Sequence, residues 1–133
     1  MTDYSIVFDG GAIGNPGLGY GSFEIIGPEG LRILERVEFS ENGEQVTNNE
    51  AEYKTLIRAL ERLLAEIDGD PKRASVTIHG DSLLIVNQVN GDWKIKKPQL
   101  RELKEQVVQL LNKFGETGLR WHDRLNSVWI LGH

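Results

Sequence analysis

The chain contains no cysteine, which excludes disulfides, thiolate nucleophiles and cysteine-based zinc sites. It has no apolar run long enough to span a bilayer and opens on no signal-peptide pattern, so a soluble, cytoplasmic protein without membrane association is the expectation. Positive charge is not in excess either. Against 20 aspartates and glutamates stand 15 lysines and arginines, a formal net charge of −5. Such a balance argues against holding nucleic acid by bulk electrostatics and leaves open local binding through metal ions and a few lysines. Internal repeats, linkers and low-complexity segments are absent as well. What is there is a run of 133 residues, large enough for a hydrophobic core and read as a single domain over 1–133.

The clearest local pattern comes first. In Tyr4-Ser5-Ile6-Val7-Phe8-Asp9, Tyr4, Ile6 and Phe8 point one way and Ser5, Val7 and Asp9 the other, which predicts a strand over Asp3–Asp9 followed by a glycine turn. Tyr20–Ile26 and Leu31–Phe39 read as two more strands, joined through Pro28-Glu29-Gly30. Ser40–Val46 is polar and loop-like. Thr47-Asn48-Asn49-Glu50 has the capping-box pattern of a helix start, and Leu56, Ala59, Leu60, Leu63 and Ile67 form the apolar stripe of the helix that follows. Asp68-Gly69-Asp70-Pro71 ends it. A fourth strand is expected over Ala74–His79, helices over Ser82–Val89 and Gln99–Phe114, and a last strand from Leu119 to Trp121. The helical crossover makes strand four parallel to strand one. The expected fold class is therefore α/β: a five-stranded mixed sheet, antiparallel over strands 1–3 and parallel for strands 4–5, flanked by helices.

Three acids sit where secondary structure alone explains them poorly. Asp9 closes an interior strand. Glu52 lies four residues before Leu56, on the helix face that meets the sheet. The helix dipole favours an acid in the first turns by about 0.3–1 kcal/mol, but on any face. Asp81 follows Gly80 at the end of strand four, where N-capping the next helix is its alternative role. With strands one and four parallel, Asp9 and Asp81 reach the same C-terminal sheet edge, where open α/β sheets bind ligands, and Glu52 is expected near it. Carboxylates so close repel one another. Divalent cations relieve this, and oxygen donors without cysteine favour magnesium or manganese over zinc.

Phe8-Asp9-Gly10-Gly11 with Gly14-Asn15-Pro16-Gly17, then Thr47-Asn48-Asn49-Glu50-Ala51-Glu52-Tyr53, then Gly80-Asp81-Ser82 with Asn87-Gln88-Val89-Asn90-Gly91, resemble type 1 ribonuclease H in order and spacing. The resemblance runs from about residue 3 to residue 121. It implies the ribonuclease H-like fold and an endonuclease that hydrolyses the RNA strand of RNA/DNA hybrids with two Mg²⁺ or Mn²⁺ ions, leaving a 3′-hydroxyl and a 5′-phosphate. It implies Asp9, Glu52 and Asp81 as the metal-binding carboxylates. Gly10 and Gly11 would let the backbone approach the substrate, and Asn15, Asn48 and Asn49 would meet the minor groove of the hybrid. Thr47 would contact the DNA-strand phosphate as well as cap its helix. The partner implied is the hybrid, and a monomer is expected.

The pattern breaks near the end. The family usually carries a fourth acid on a further C-terminal helix, and this chain reads as a compact form too short for that helix, with no Asp or Glu after Asp123. Asn126 is the first choice to stand in as a neutral metal ligand. His133 is the second, as ligand or in the product-release role of the family's loop histidine, and Asp123 the third. The basic protrusion of some relatives is reduced to Lys94, Lys96 and Lys97 around Trp93, so weaker, salt-sensitive binding is expected. His79 and His122 read as structural histidines. Ser82 lacks the nucleophile-elbow pattern of a serine hydrolase. The rival from another class is a non-catalytic hybrid-binding domain that has lost its fourth acid.

Overall fold

Within residues 1–39 and 43–132, which the computed structural model describes, the chain forms five strands and four α-helices. In order they are β1 (Thr2–Ile13), β2 (Leu18–Ile26), β3 (Arg32–Glu38), α1 (Asn48–Glu66), β4 (Ala74–Gly80), α2 (Leu83–Val89), α3 (Pro98–Leu111), β5 (Glu116–Trp121) and α4 (Arg124–Leu131). The sheet order is β3-β2-β1-β4-β5. β1 pairs antiparallel with β2, and β2 with β3, while β4 runs parallel to both β1 and β5. The predicted fold class therefore holds. Ser40, where the predicted polar loop begins, and His133 lie outside the described residues.

The apolar stripe of α1 does what its spacing predicts: Leu56, Ala59, Leu60 and Leu63 are fully buried against Ile6, Phe8, Phe23, Ile25 and Ile78 of the sheet. Each large side chain removed from water there contributes about 1.5–3 kcal/mol. The capping box is also present. The Thr47 hydroxyl accepts from the Glu50 N–H at 3.1 Å, and the Glu50 carboxylate accepts from the Thr47 N–H at 3.3 Å.

Three expectations need correction. First, β1 does not end at Asp9. It continues through Gly10 and Gly11, which pair with Gly21 and Tyr20, to Ile13. The reason is packing: a Cβ on Gly10 would stand 2.7 Å from the Ala51 carbonyl oxygen, and one on Gly21 would stand 1.8 Å from Thr55 Oγ1. The two glycines face each other across the strands and let α1 lie directly on them. The bare backbone of Gly10 thus serves the close seating of the helix. Second, Ser82, not Asp81, caps α2, its hydroxyl accepting from the Ile85 N–H at 3.3 Å.

Third, the chain does have a helix after its last strand. α4 packs on β1 and β2, buries Ser127 and Leu131, and ends at Gly132 in the left-handed region (φ 73°). Its sequence disguises it. Asp123 makes no side-chain cap bond, and the apolar Leu125, Val128 and Trp129 face outward while a serine faces in, so no amphipathic stripe betrays a helix.

The contact at Gly21 is testable. Gly21→Ala lowers stability by about 1–3 kcal/mol, the usual range for overpacking. Adding Thr55→Ala recovers part of that loss in a denaturant double-mutant cycle. A Gly21→Ala protein as stable as the parent would show that the helix does not lie this close.

Candidate metal centre

The parallel register of β1 and β4 ends with Phe8 beside Gly80, so the next residues stand side by side: Asp9, still paired with Ser22 of β2, and Asp81, just past the end of β4. α1, seated on Gly10 and Gly21, brings Glu52 to the same point. Oxygens of Asp9, Glu52 and Asp81 all lie within 4.8 Å of one another, the convergence expected from the sequence. Asp9 is 6% exposed and Glu52 8%.

The corner is electrostatically costly. Burial, followed by the charges of Asp9 and then Asp81, pushes the Glu52 carboxyl well above the usual glutamate range, while the charge of Arg124 and the Gly10 N–H pull it back. Glu52 Oε2 and Asp81 Oδ2 are buried with no hydrogen-bond partner. Two orphaned hard-oxygen acceptors beside a third carboxylate are the donor set that a hard divalent cation fits.

Around this point the chain is tied down by backbone and ring contacts. The Trp121 indole N–H donates to the Asp81 carbonyl oxygen at 3.1 Å, and the His122 N–H to that of Gly80 at 3.0 Å. The His122 ring stacks on His79, with centroids 5.7 Å apart and planes at 22°, and its Nε2 lies 2.7 Å from Ser127 Oγ. Burial first, then Arg120 for His79 and His79 for His122, lowers both histidines below the ordinary value. They join β4 to α4, as expected of structural histidines.

Asn15 and Asn48 are braced against each other. Asn48 Oδ1 accepts from the Ala12 N–H at 2.8 Å, and Asn15 Oδ1 accepts from the Asn48 N–H at 3.1 Å. Gly11 faces the Tyr20 hydroxyl, which a Cβ there would approach to 2.9 Å. Asn49 is half-buried in the first turn of α1. Asn126 is exposed in the first turn of α4, its N–H donating to the Asp123 carbonyl oxygen at 2.9 Å. Asp123 stands outside the three-carboxylate group.

Two features went unread in the sequence. Arg124 opens α4 within electrostatic reach of Glu52, and no sequence signal for it exists apart from the helix it begins. Arg101 and Lys104 of α3 join Trp93 and Lys94 in one groove, an i, i+3 pair that the helical spacing of α3 already contained.

The described residues include no helix long and apolar enough to cross a membrane. Residues 25–128 match the family model described as "Reverse transcriptase-like". A bifunctional protein of Mycobacterium tuberculosis is 32% identical over 122 residues, which is 91% of this chain and 31% of that protein. A ribonuclease H of Syntrophus aciditrophicus is 30% identical over 141 aligned positions, 96% of this chain and 69% of the relative. The chain thus spans about a third of the first of these and about two thirds of the second. Among solved structures, LC11-RNase H1, isolated from compost by a metagenomic approach, superposes with a TM-score of 0.83 at 30% identity, covering 97% of this chain and 90% of the other. The same protein has been solved in complex with an RNA/DNA hybrid, where the TM-score is 0.76.

The raised Glu52 carboxyl fixes the sign of a pH effect. A folded-state value above the unfolded one means that the metal-free protein loses stability as pH rises from the ordinary carboxylate range through the raised value. Glu52→Gln removes that slope and raises the Tm of the metal-free protein at pH 8 by about 3 °C. Thermal melts across pH in the presence of a chelator measure both. A variant melting with the wild-type pH slope would place the strain elsewhere.

Proposed function

The chain belongs to the type 1 ribonuclease H family, and on that footing we propose that it is an endonuclease hydrolysing the RNA strand of RNA/DNA hybrids with Mg²⁺ or Mn²⁺. The observation that carries this reading is the meeting of Asp9, Glu52 and Asp81 within 4.8 Å, two of them with orphaned buried oxygens.

Asp9, Glu52 and Asp81 would hold the ions. When bound, a pair of such ions supplies an activated water and charge that steadies the leaving oxygen, which yields 5′-phosphate and 3′-hydroxyl ends. The chain's own part is to fix the donors and keep them dry. The Gly10 N–H holds one side of Glu52, and packing on Gly10 and Gly21 fixes its height above the sheet. Asn126, on the first turn of α4, is the proposed neutral fourth ligand. Asn15, Asn48 and Asn49, with Asn48 bonded to both Ala12 and Asn15, face the minor groove, where the 2′-hydroxyl distinguishes RNA from DNA. Thr47 contacts a DNA-strand phosphate from the head of α1. The groove of Trp93, Lys94, Arg101 and Lys104, which Glu105 also lines, offers a stacking surface and a net positive charge for further phosphates. The protein acts as a cytoplasmic monomer, and its lack of cysteine suits a reducing compartment.

A second reading, a hybrid-binding domain without catalysis, is favoured by one observation: α4 opens on an arginine and contains no carboxylate.

Cleavage of a labelled hybrid in Mn²⁺ separates the two. The nuclease cuts it. Asp9→Asn lowers cleavage at least about a thousandfold, roughly 4 kcal/mol of barrier, with an unchanged circular-dichroism spectrum. Full activity in that variant would remove the metal role. Asn126→Asp lowers the Mg²⁺ concentration for half-maximal cleavage roughly tenfold, a step typical of groups that tune a metal site. An unaltered metal dependence would show that Asn126 is not a ligand.

A further inference from the structure

Two of the three acids stand beside elements that a buried polar contact joins. Tyr53 follows Glu52 in α1, and α2 starts directly after Asp81, with Ser82 as its cap. The Tyr53 hydroxyl donates to Gln88 Oε1 of α2 at 2.9 Å, with Tyr53 fully buried and Gln88 only 4% exposed. Among the described residues no other side-chain hydrogen bond joins α1 to α2. On its other side the Asp81 end is tied to β5. The Trp121 indole bonds to the Asp81 carbonyl oxygen, and the Asn90 amide, just past α2, donates to the Leu119 carbonyl oxygen at 3.0 Å. Asp81, α2 and β5 thus form one strapped unit, and Tyr53–Gln88 is its polar bond to the helix of Glu52. The neighbours of the pair along the two helices, Leu56, Ile57, Ile85 and Val89, are buried and apolar. Phenylalanine and methionine would fill the same space with nothing left to satisfy. What the polar pair adds is direction, because a hydrogen bond weakens steeply with length and angle whereas apolar contact is non-directional.

We propose that Tyr53 and Gln88 are positioning residues of the metal centre: their hydrogen bond sets how far Glu52 stands from Asp81, and so how well the carboxylates fit one set of ions. This rests on the nuclease reading and adds two residues to it. The seating on Gly10 and Gly21 fixes the height of Glu52 over the sheet, but Asp81 lies past the end of β4 and is not fixed by it. α2 is seven residues long, about 10 Å, so a shift at Gln88 is carried along a short rigid rod to Asp81. The effect on the site is separable from the effect on stability. Removing one partner strands the other in the core, whereas replacing both by apolar groups of similar shape is nearly neutral. Only the intact pair, however, holds the two helices in one register.

The test uses the full chain freed of metal with a chelator, as wild type, Tyr53→Phe, the double variant Tyr53→Phe/Gln88→Met, and Val107→Ala, a control in the buried face of α3. Tyr53→Phe lowers Tm by about 5 °C, the effect of one stranded buried acceptor, and the double variant returns to within about 2 °C of wild type. MnCl₂ is then titrated in a calorimeter at a temperature where circular dichroism shows every variant folded. Tyr53→Phe and the double variant both bind Mn²⁺ roughly tenfold more weakly, the low end for groups that orient metal ligands from behind. Val107→Ala lowers Tm and keeps the wild-type affinity. In hybrid cleavage below saturating Mn²⁺, kcat of the double variant falls by a similar factor while KM for the hybrid stays at the wild-type value. Wild-type Mn²⁺ affinity in the double variant, with wild-type cleavage intact, overturns this proposal alone. An affinity that follows Tm across all the variants, Val107→Ala included, would make the pair a support of the core and likewise overturn it. A wild-type protein that neither binds Mn²⁺ nor cuts the hybrid overturns the nuclease reading with it.

Discussion

The close seating of α1 on two facing glycines governs the rest of the molecule. Gly10 and Gly21 leave room for Ala51 and Thr55, and through them for the whole first half of the helix. Any side chain at either position would lift the helix and carry Glu52 away from Asp9. The same contact lets the Gly10 N–H reach the Glu52 carboxylate, so one packing decision sets both the position of the acid and one of its hydrogen bonds. The core leucines below, Leu56, Leu60 and Leu63, hold the helix down but do not choose its height.

From that seating follows an electrostatic problem that the protein alone does not fully solve. Asp9 and Glu52 are buried beside Asp81, and two of the oxygens present have no donor. Buried carboxylates in this state cost stability unless something positive arrives. The charge of Arg124 and the Gly10 N–H offset part of this cost at Glu52, and under the nuclease reading divalent ions would offset the rest. The division of labour is structural as well as chemical: β1, β4 and α1 belong to the densest part of the core, whereas α4 is short and hangs on Ser127, Leu131 and the His122 ring.

Much of this was legible from the letters alone. Alternation in Tyr4–Asp9 marked the first strand, Thr47 and Glu50 marked the helix start, and the helical crossover placed Asp9 and Asp81 at one edge before any coordinates. These features are local, or follow from handedness and connection rules. What was not legible depends on distant partners. The glycines after Asp9 read as a turn because the helix that needs their bareness lies forty residues on. Asp81 competed with Ser82 for the capping role, and only geometry decides between adjacent candidates. α4 was missed because its polarity is inverted, with Trp129 outside and Ser127 inside. Arg124 could not be assigned a place while the helix it begins was unseen.

The exposure of the tryptophans has an optical consequence. Trp93 and Trp121 are each 46% accessible and Trp129 is 86%, while the large aromatics of the core are Phe8, Phe23, Tyr53 and Phe114. Indole emission from this protein therefore starts from wet surroundings and carries little information about the melting of the interior. Under the nuclease reading proposed above, two of the three indoles, at the groove of Lys94, Arg101 and Lys104 and beside Asp81, stand where a bound hybrid would quench them. On that reading the native fluorophores report occupancy, and loss of the core is better followed through tyrosine absorbance or far-ultraviolet dichroism.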